Sequence, residues 1–131
     1  MDAAAFDEPP HRLRVRYCET DRMGVAHHGS YVAWFEEART EWLRHKGCSY
    51  RELEDRGFLL QVVDFTVQYK KPVDYDDELL VRVRARERTN AAITLEYRVE
   101  RADSGAVTAI GSTRLACVGR DGKVRRLPDG V

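Results

Sequence analysis

An apolar helical stripe within residues 31–43 limits what this chain can become. Tyr31, Trp34, Phe35, Ala38, Trp42 and Leu43 recur at i, i+3, i+4 and i+7, the spacing of one helical face. Glu36, Glu37, Thr40, Glu41 and Arg44 fall mostly on the other face. Ser30 is placed to cap the start, Arg44, His45 and Lys46 suit the negative end of the helix dipole, and Gly47 can close it. A face carrying both tryptophans and a phenylalanine needs a large apolar partner. In 131 residues that partner has to be a sheet built from the rest of the chain.

The remaining segments carry the period of strands. Leu13, Val15 and Tyr17 alternate with Arg12, Arg14 and Arg16, so a half-buried strand is expected there. Residues 1–10 before it read as a flexible tail ended by Pro9-Pro10, and residues 11–131 as a single domain. Ser49-Tyr50-Arg51-Glu52 has the form of a capping box and predicts a short second helix to Arg56, stopped by Gly57. Val63, Phe65, Val67 and Tyr69 then alternate with polar residues until Lys70-Lys71-Pro72. Leu79, Val81, Val83 and Ala85 alternate with Arg82, Arg84, Arg86 and Arg88, and Ile93, Leu95, Tyr97 and Val99 with Thr94, Glu96, Arg98 and Glu100. The four arginines should share one face, paired across strands with Glu96, Glu100 and Asp64. A last strand or pair spans about residues 107–118, and Asp121-Gly122 turns the chain before Lys123 to Leu127. Short turns between strands imply an antiparallel sheet with one apolar face, which only the long helix can cover. The fold class is α+β.

Charge and cysteine content narrow the function. Lys+Arg and Asp+Glu both number 22, so no bulk attraction to nucleic acid or to an anionic membrane is expected. No apolar run approaches the roughly 20 residues of a membrane span. Cys18, Cys48 and Cys117 are odd in number and widely spaced, which fits free thiols in a reducing cytoplasm. Cys18 reads as a packing residue, without an obvious paired base.

Chemistry falls to the acidic knot at Glu19, Thr20 and Asp21. Asp21 lies shortly before a predicted helix start, where unpaired N–H groups and the dipole favour negative charge. A carboxylate beside such donors can act as nucleophile or general base while they hold the oxyanion of an attacked carbonyl. Gly24 and Gly29 bracket the turn and would let the backbone approach a substrate. A purely structural role for both acids, as complements to the helix end, is the alternative. His27 and His28 are adjacent, so they should point apart, and with Glu19 and Asp21 they match no metal-ligand spacing. Asp76 and Asp77 read as turn residues.

The order Tyr17-Cys18-Glu19-Thr20-Asp21-Arg22-Met23-Gly24-Val25, His28-Gly29-Ser30-Tyr31, Trp34-Phe35-Glu36 and Ala38-Arg39 resembles the signature of the 4-hydroxybenzoyl-CoA thioesterase-like hotdog family. The likeness continues through Tyr69, Lys71-Pro72 and Asp76-Asp77, covering about residues 13–118. It implies a hotdog fold, an antiparallel sheet wrapped around one long central helix, assembled as a homodimer or a dimer of dimers. It also implies acyl-CoA thioester hydrolysis with no metal or redox cofactor. By the resemblance, Asp21 is the catalytic carboxylate and the His28 N–H polarises the carbonyl. Gly24, Val25, Gly29 and Tyr31 line the substrate, while Arg88, Asn90, Lys70 and Lys71 are candidates for the phosphates of coenzyme A. Glu19 stands where the family usually has Asp, and Ala26-His27 replaces a Val-Tyr-like pair, which should alter the wall near the acyl group. Because Glu19 departs from the pattern, its replacement by Gln is expected to be mild. An acyl-carrier-protein thioesterase and a non-catalytic acyl-CoA-binding subunit remain as alternatives.

Overall fold

The computed structural model describes residues 6–131, so the first half of the expected tail lies outside the described residues. Strand β1 spans Asp7–Arg14, helix α1 Ser30–His45 and helix α2 Tyr50–Asp55. Strands β2 (Leu59–Tyr69), β3 (Glu78–Arg88), β4 (Ala92–Arg101) and β5 (Val107–Val118) follow. The five strands form one sheet in the order β1-β3-β4-β5-β2, and every pair is antiparallel. Helix α1 lies across one face, which is the α+β architecture that the apolar stripe demands. No helix among the described residues is long and apolar enough to cross a membrane.

The predicted stripe is the core. Trp34, Phe35, Ala38 and Leu43 are no more than 1% exposed, and Tyr31 and Trp42 are buried beside them. Each large side chain contributes about 1.5–3 kcal/mol on leaving water. Phe35 stacks on Tyr97 of β4 with ring centroids 4.2 Å apart. It fits because Gly111, which pairs with Tyr97, has no side chain: a Cβ there would lie 2.6 Å from the Phe35 ring. At its far end, α1 closes on Gly47 at φ +84°, with Cys48 N–H donating to the Leu43 carbonyl and Gly47 N–H to that of Arg44. Ser49 caps α2 by accepting from Glu52 N–H at 3.1 Å, as the capping box predicts.

Four expectations need correcting. First, β1 starts at Asp7, before the two prolines, and Phe6 is buried. The Phe6 ring lies under the guanidiniums of Arg84 and Arg98, 4.5 and 4.9 Å from its centroid. Prolines are tolerated there because β1 is an edge strand, and its register shifts between Asp7 and His11. Second, the strand ends at Arg14, so Tyr17 begins a 3-10 turn and is exposed.

Third, Ser30 is the first residue of α1 and not its cap. Gly29 holds the cap position, and the Ser30 hydroxyl donates to the Glu19 carbonyl. Fourth, the arginine row breaks. Arg82 and Arg84 pair with Glu100 and Glu96, each at 2.9 Å, but a bulge between Ala85 and Glu87 shifts the register, so Arg88 sits opposite Ile93. Asp64 cannot join them, because β2 lies at the opposite edge from β1 and β3.

Candidate active site

Between β1 and α1 the chain makes a tight loop whose hydrogen bonds set the position of every polar group in it. The 3-10 turn at Tyr17–Glu19 is closed by the Thr20 hydroxyl, which donates to the Tyr17 carbonyl at 2.7 Å. Asp21 N–H then donates to the Val25 carbonyl at 2.9 Å, and Gly24 N–H returns to the Asp21 carbonyl at 3.1 Å. Gly24 sits at φ +79°, a conformation that favours glycine. Nothing lies within 4 Å of a Cβ placed there, so the requirement is conformational. Gly29, by contrast, has an ordinary helical backbone at φ −64°.

This loop leaves three groups with spare hydrogen-bonding capacity. Asp21 is exposed, and Oδ1 accepts the Met23 N–H at 2.8 Å. Among the described residues its other oxygen has no donor. The first three N–H groups of α1 do not stay free. Ser30, Tyr31 and Val32 donate to the carbonyls of His27, His28 and Gly29 at 3.1 to 3.2 Å. The spare donors are therefore one step earlier: the N–H groups of His28 and Gly29 have no acceptor among the described residues. That is the donor position which the sequence resemblance implied.

Asp21 and His28 line a cleft of about 510 Å³ between the loop and the end of β2, whereas Gly24 and Gly29 are not among its lining residues. It brings together Asp21, Val25, His28, Tyr31, Lys70 and Lys71, all of them singled out from sequence. Ala26 is in its wall, as expected of the pair it belongs to, and Met23, Tyr69, Pro72 and Val73 complete that wall without having been identified as site residues. Tyr69 is the informative omission. Its ring meets the edges of His28 and Tyr31, with centroids 4.6 and 5.0 Å away, and its hydroxyl donates to the His28 carbonyl at 3.3 Å. The abrupt stop of the strand pattern at Lys70-Lys71-Pro72 was the available signal. Burial and the neighbouring Tyr69 push the Tyr31 phenol up to about 12, so it stays neutral at working pH. His27 turns away from the cleft, with Nε2 lying 3.3 Å from the Ser30 hydroxyl.

Arg88 and Asn90 lie elsewhere. Ile93, opposite Arg88, pairs with Leu115, whereas Tyr69 pairs with Ala109. The span from 109 to 115 is roughly 20 Å at about 3.4 Å per residue. Arg88 Nε donates to the Val131 carbonyl and Nη2 to that of Pro128, at 2.8 and 2.9 Å. Neither residue lines the cleft that Asp21 meets. Cys18 is exposed and not packed.

Comparison with known proteins agrees with this architecture. Residues 15–131 match the thioesterase-like superfamily. The chain is 35% identical to the acyl-CoA thioester hydrolase YbgC of Escherichia coli O157:H7 over 79% of its length and 75% of the relative's. The DHNA-CoA thioesterase of Staphylococcus aureus superposes with a TM-score of 0.86 at 34% identity, covering 89% of this chain and 78% of that one. A gentisyl-coenzyme A thioesterase superposes at 0.87 with 25% identity, over 93% and 98% of the two chains. With residues 15–131 matching the family and a helix-covered antiparallel sheet like those of the solved thioesterases, this chain belongs to the thioesterase-like superfamily and is a thioester hydrolase of the hotdog fold.

Proposed function

We propose that the chain hydrolyses the thioester of an acyl- or aroyl-coenzyme A, with Asp21 as the reacting carboxylate and the His28 N–H as the oxyanion donor. The observation that carries this reading is the shared cleft: an exposed carboxylate oxygen and an unpaired N–H at a helix start open on the same space. A carbonyl seated between them has its oxygen on the N–H and its carbon toward Asp21. Attack by Asp21 breaks the C–S bond and gives an acyl–Asp21 anhydride, while the thiolate leaves and takes a proton from water. Water then opens the anhydride, releasing the acid and restoring the carboxylate. In the general-base variant, Asp21 takes a proton from the attacking water directly. The ring edges of His28, Tyr69 and Tyr31 form a wall suited to a planar or apolar acyl group, and Lys70 and Lys71 at the rim suit the phosphates of coenzyme A.

A second copy of the chain belongs to this proposal. β2 is an edge strand of eleven residues, with Val62 and Val63 44% and 55% exposed. An open edge of that length is a template for pairing with another strand. A β2-to-β2 homodimer would cover it. Arg88 and Asn90, which do not line the cleft of their own protomer, could then serve a coenzyme A bound in another's.

Hydrolysis of a panel of aliphatic and aromatic acyl-CoAs, followed by thiol release, tests the proposal. Wild-type protein should turn over at least one class. Asp21→Asn should lower kcat by about 10²- to 10⁴-fold with KM little changed. Near-normal turnover in a folded Asp21→Asn protein would remove Asp21 from the mechanism. No hydrolysis of any acyl-CoA by the wild type would point instead to carrier-protein thioesters.

A further inference from the structure

Glu19 is two residues from Asp21 and is treated oppositely by the fold. It is 6% exposed, and both carboxylate oxygens are occupied. Oε1 accepts the Arg16 N–H at 2.7 Å and Oε2 the Trp34 indole N–H at 2.8 Å. Its main-chain carbonyl accepts the His27 N–H at 3.0 Å and the Ser30 hydroxyl at 2.9 Å. One residue thus ties together the exit from β1, the core face of α1, the residue before His28 and the first residue of the helix. Trp34 is a fixed point in that set, because it is 1% exposed and its ring packs 4.6 Å from that of Tyr31.

We propose that Glu19 is a positioning residue for thioester cleavage. Its buried carboxylate clamps the loop to Trp34 and so fixes Asp21 relative to the His28 N–H. The inference rests on the reading of Asp21 and His28 given above. The physical reason is that the main-chain ties leave the side-chain one to add: the Glu19 carbonyl holds the loop to His27 and Ser30, and the carboxylate alone joins it to Trp34 on the core face of α1. The Asp21–Val25 and Gly24–Asp21 bonds are internal to the loop, and Ala26 N–H, donating to the Val73 carbonyl, holds only its far side. Loss of the clamp leaves Asp21 chemically intact but free to shift against a donor held at the helix start. A carboxylate suits this clamp because three donors converge on it, the Arg16 N–H, the Trp34 indole and, at 3.4 Å, Arg16 Nη2. A glutamine would turn an N–H group toward one of them.

The test compares Glu19→Gln, Trp34→Phe, the double variant and Asp21→Asn, measuring kcat, KM and thermal melting with one acyl-CoA at a temperature well below every melt. Each single clamp variant should lower kcat by about 10- to 100-fold, the scale of a small misplacement of reacting groups, and leave KM near the wild-type value. The double variant should be no slower than the slower single variant, because both changes remove the same contact. A merely structural role would lower the melting temperature and leave the kcat of the folded protein unchanged. That result, or multiplying losses in the double variant, overturns the proposal. Should Glu19→Gln fail to fold, Trp34→Phe carries the same comparison. If Asp21→Asn is inactive while the clamp variants work normally, only the role of Glu19 falls. If Asp21→Asn stays active, the reading of the site and this inference fall together.

Discussion

The two ends of the sheet treat their polar groups in opposite ways. At the start of α1, Asp21 keeps an oxygen and His28 and Gly29 keep N–H groups without partners among the described residues, and Asp21 and His28 line a cleft of about 510 Å³. At the other end, Arg88 spends its guanidinium on the Val131 and Pro128 carbonyls, Arg125 donates to the Gly57 carbonyl at 2.9 Å, and the Asn90 carbonyl accepts the Leu127 N–H at 2.7 Å. There the C-terminal segment folds back and uses up the groups it meets. By composition both ends look equally polar. What distinguishes a site is hydrogen-bonding capacity that the fold has positioned but not satisfied, because a ligand can gain only what the protein has left open.

The largest expected contrast is within one position of the open end. His28→Pro removes the N–H, and, provided circular dichroism and melting show the fold retained, kcat should fall by about 10²- to 10³-fold, as on losing an oxyanion donor. His28→Ala keeps the N–H and loses only the ring contact with Tyr69, worth about 0.5–1.5 kcal/mol, so kcat should fall far less and acyl preference should shift. An alanine variant as inactive as the proline variant would make the imidazole itself the reacting partner of Asp21. Two active variants would place the carbonyl elsewhere.

The closed end should respond weakly and differently. Arg88→Ala removes two hydrogen bonds to carbonyls at a largely exposed position, costing about 1 kcal/mol, seen as a melting temperature lower by about 3–6 °C. Neither kcat nor KM should change appreciably. A rise in KM without a change in melting would show that this end meets coenzyme A from another protomer, and the contrast between the two ends would then dissolve at the level of the assembly.

Periodicity made most of the fold legible. The helical stripe, the capping box at Ser49 and the alternation in β3 and β4 report burial directly, one side chain at a time. What it could not show were events that break the period. The bulge between Ala85 and Glu87 turned Arg88 from the outer face, and Phe6 carried the first strand back across two prolines because an edge strand lacks a partner on one side.

That Asp21 and His28 would line one cleft was legible because loop and helix start are adjacent in sequence. Tyr69 was not, since its proximity to His28 depends on where β2 ends in space, across 41 positions of chain. The contacts of Glu19 were hidden for a related reason. Comparing residue types marked it as a departure from the family, whereas the fold buries it against the Trp34 indole.

The most direct measurement is a crystal structure of Asp21→Asn bound to an acyl-CoA analogue in which a methylene replaces the thioester sulfur, leaving a ketone. The carbonyl oxygen should lie about 3 Å from the His28 nitrogen, with the carbonyl carbon facing residue 21 and the acyl group against Tyr69. A carbonyl bound away from the helix start, or a His28 N–H already paired with a protein group in the complex, would contradict the assignment of this cleft as the place where the thioester is cleaved.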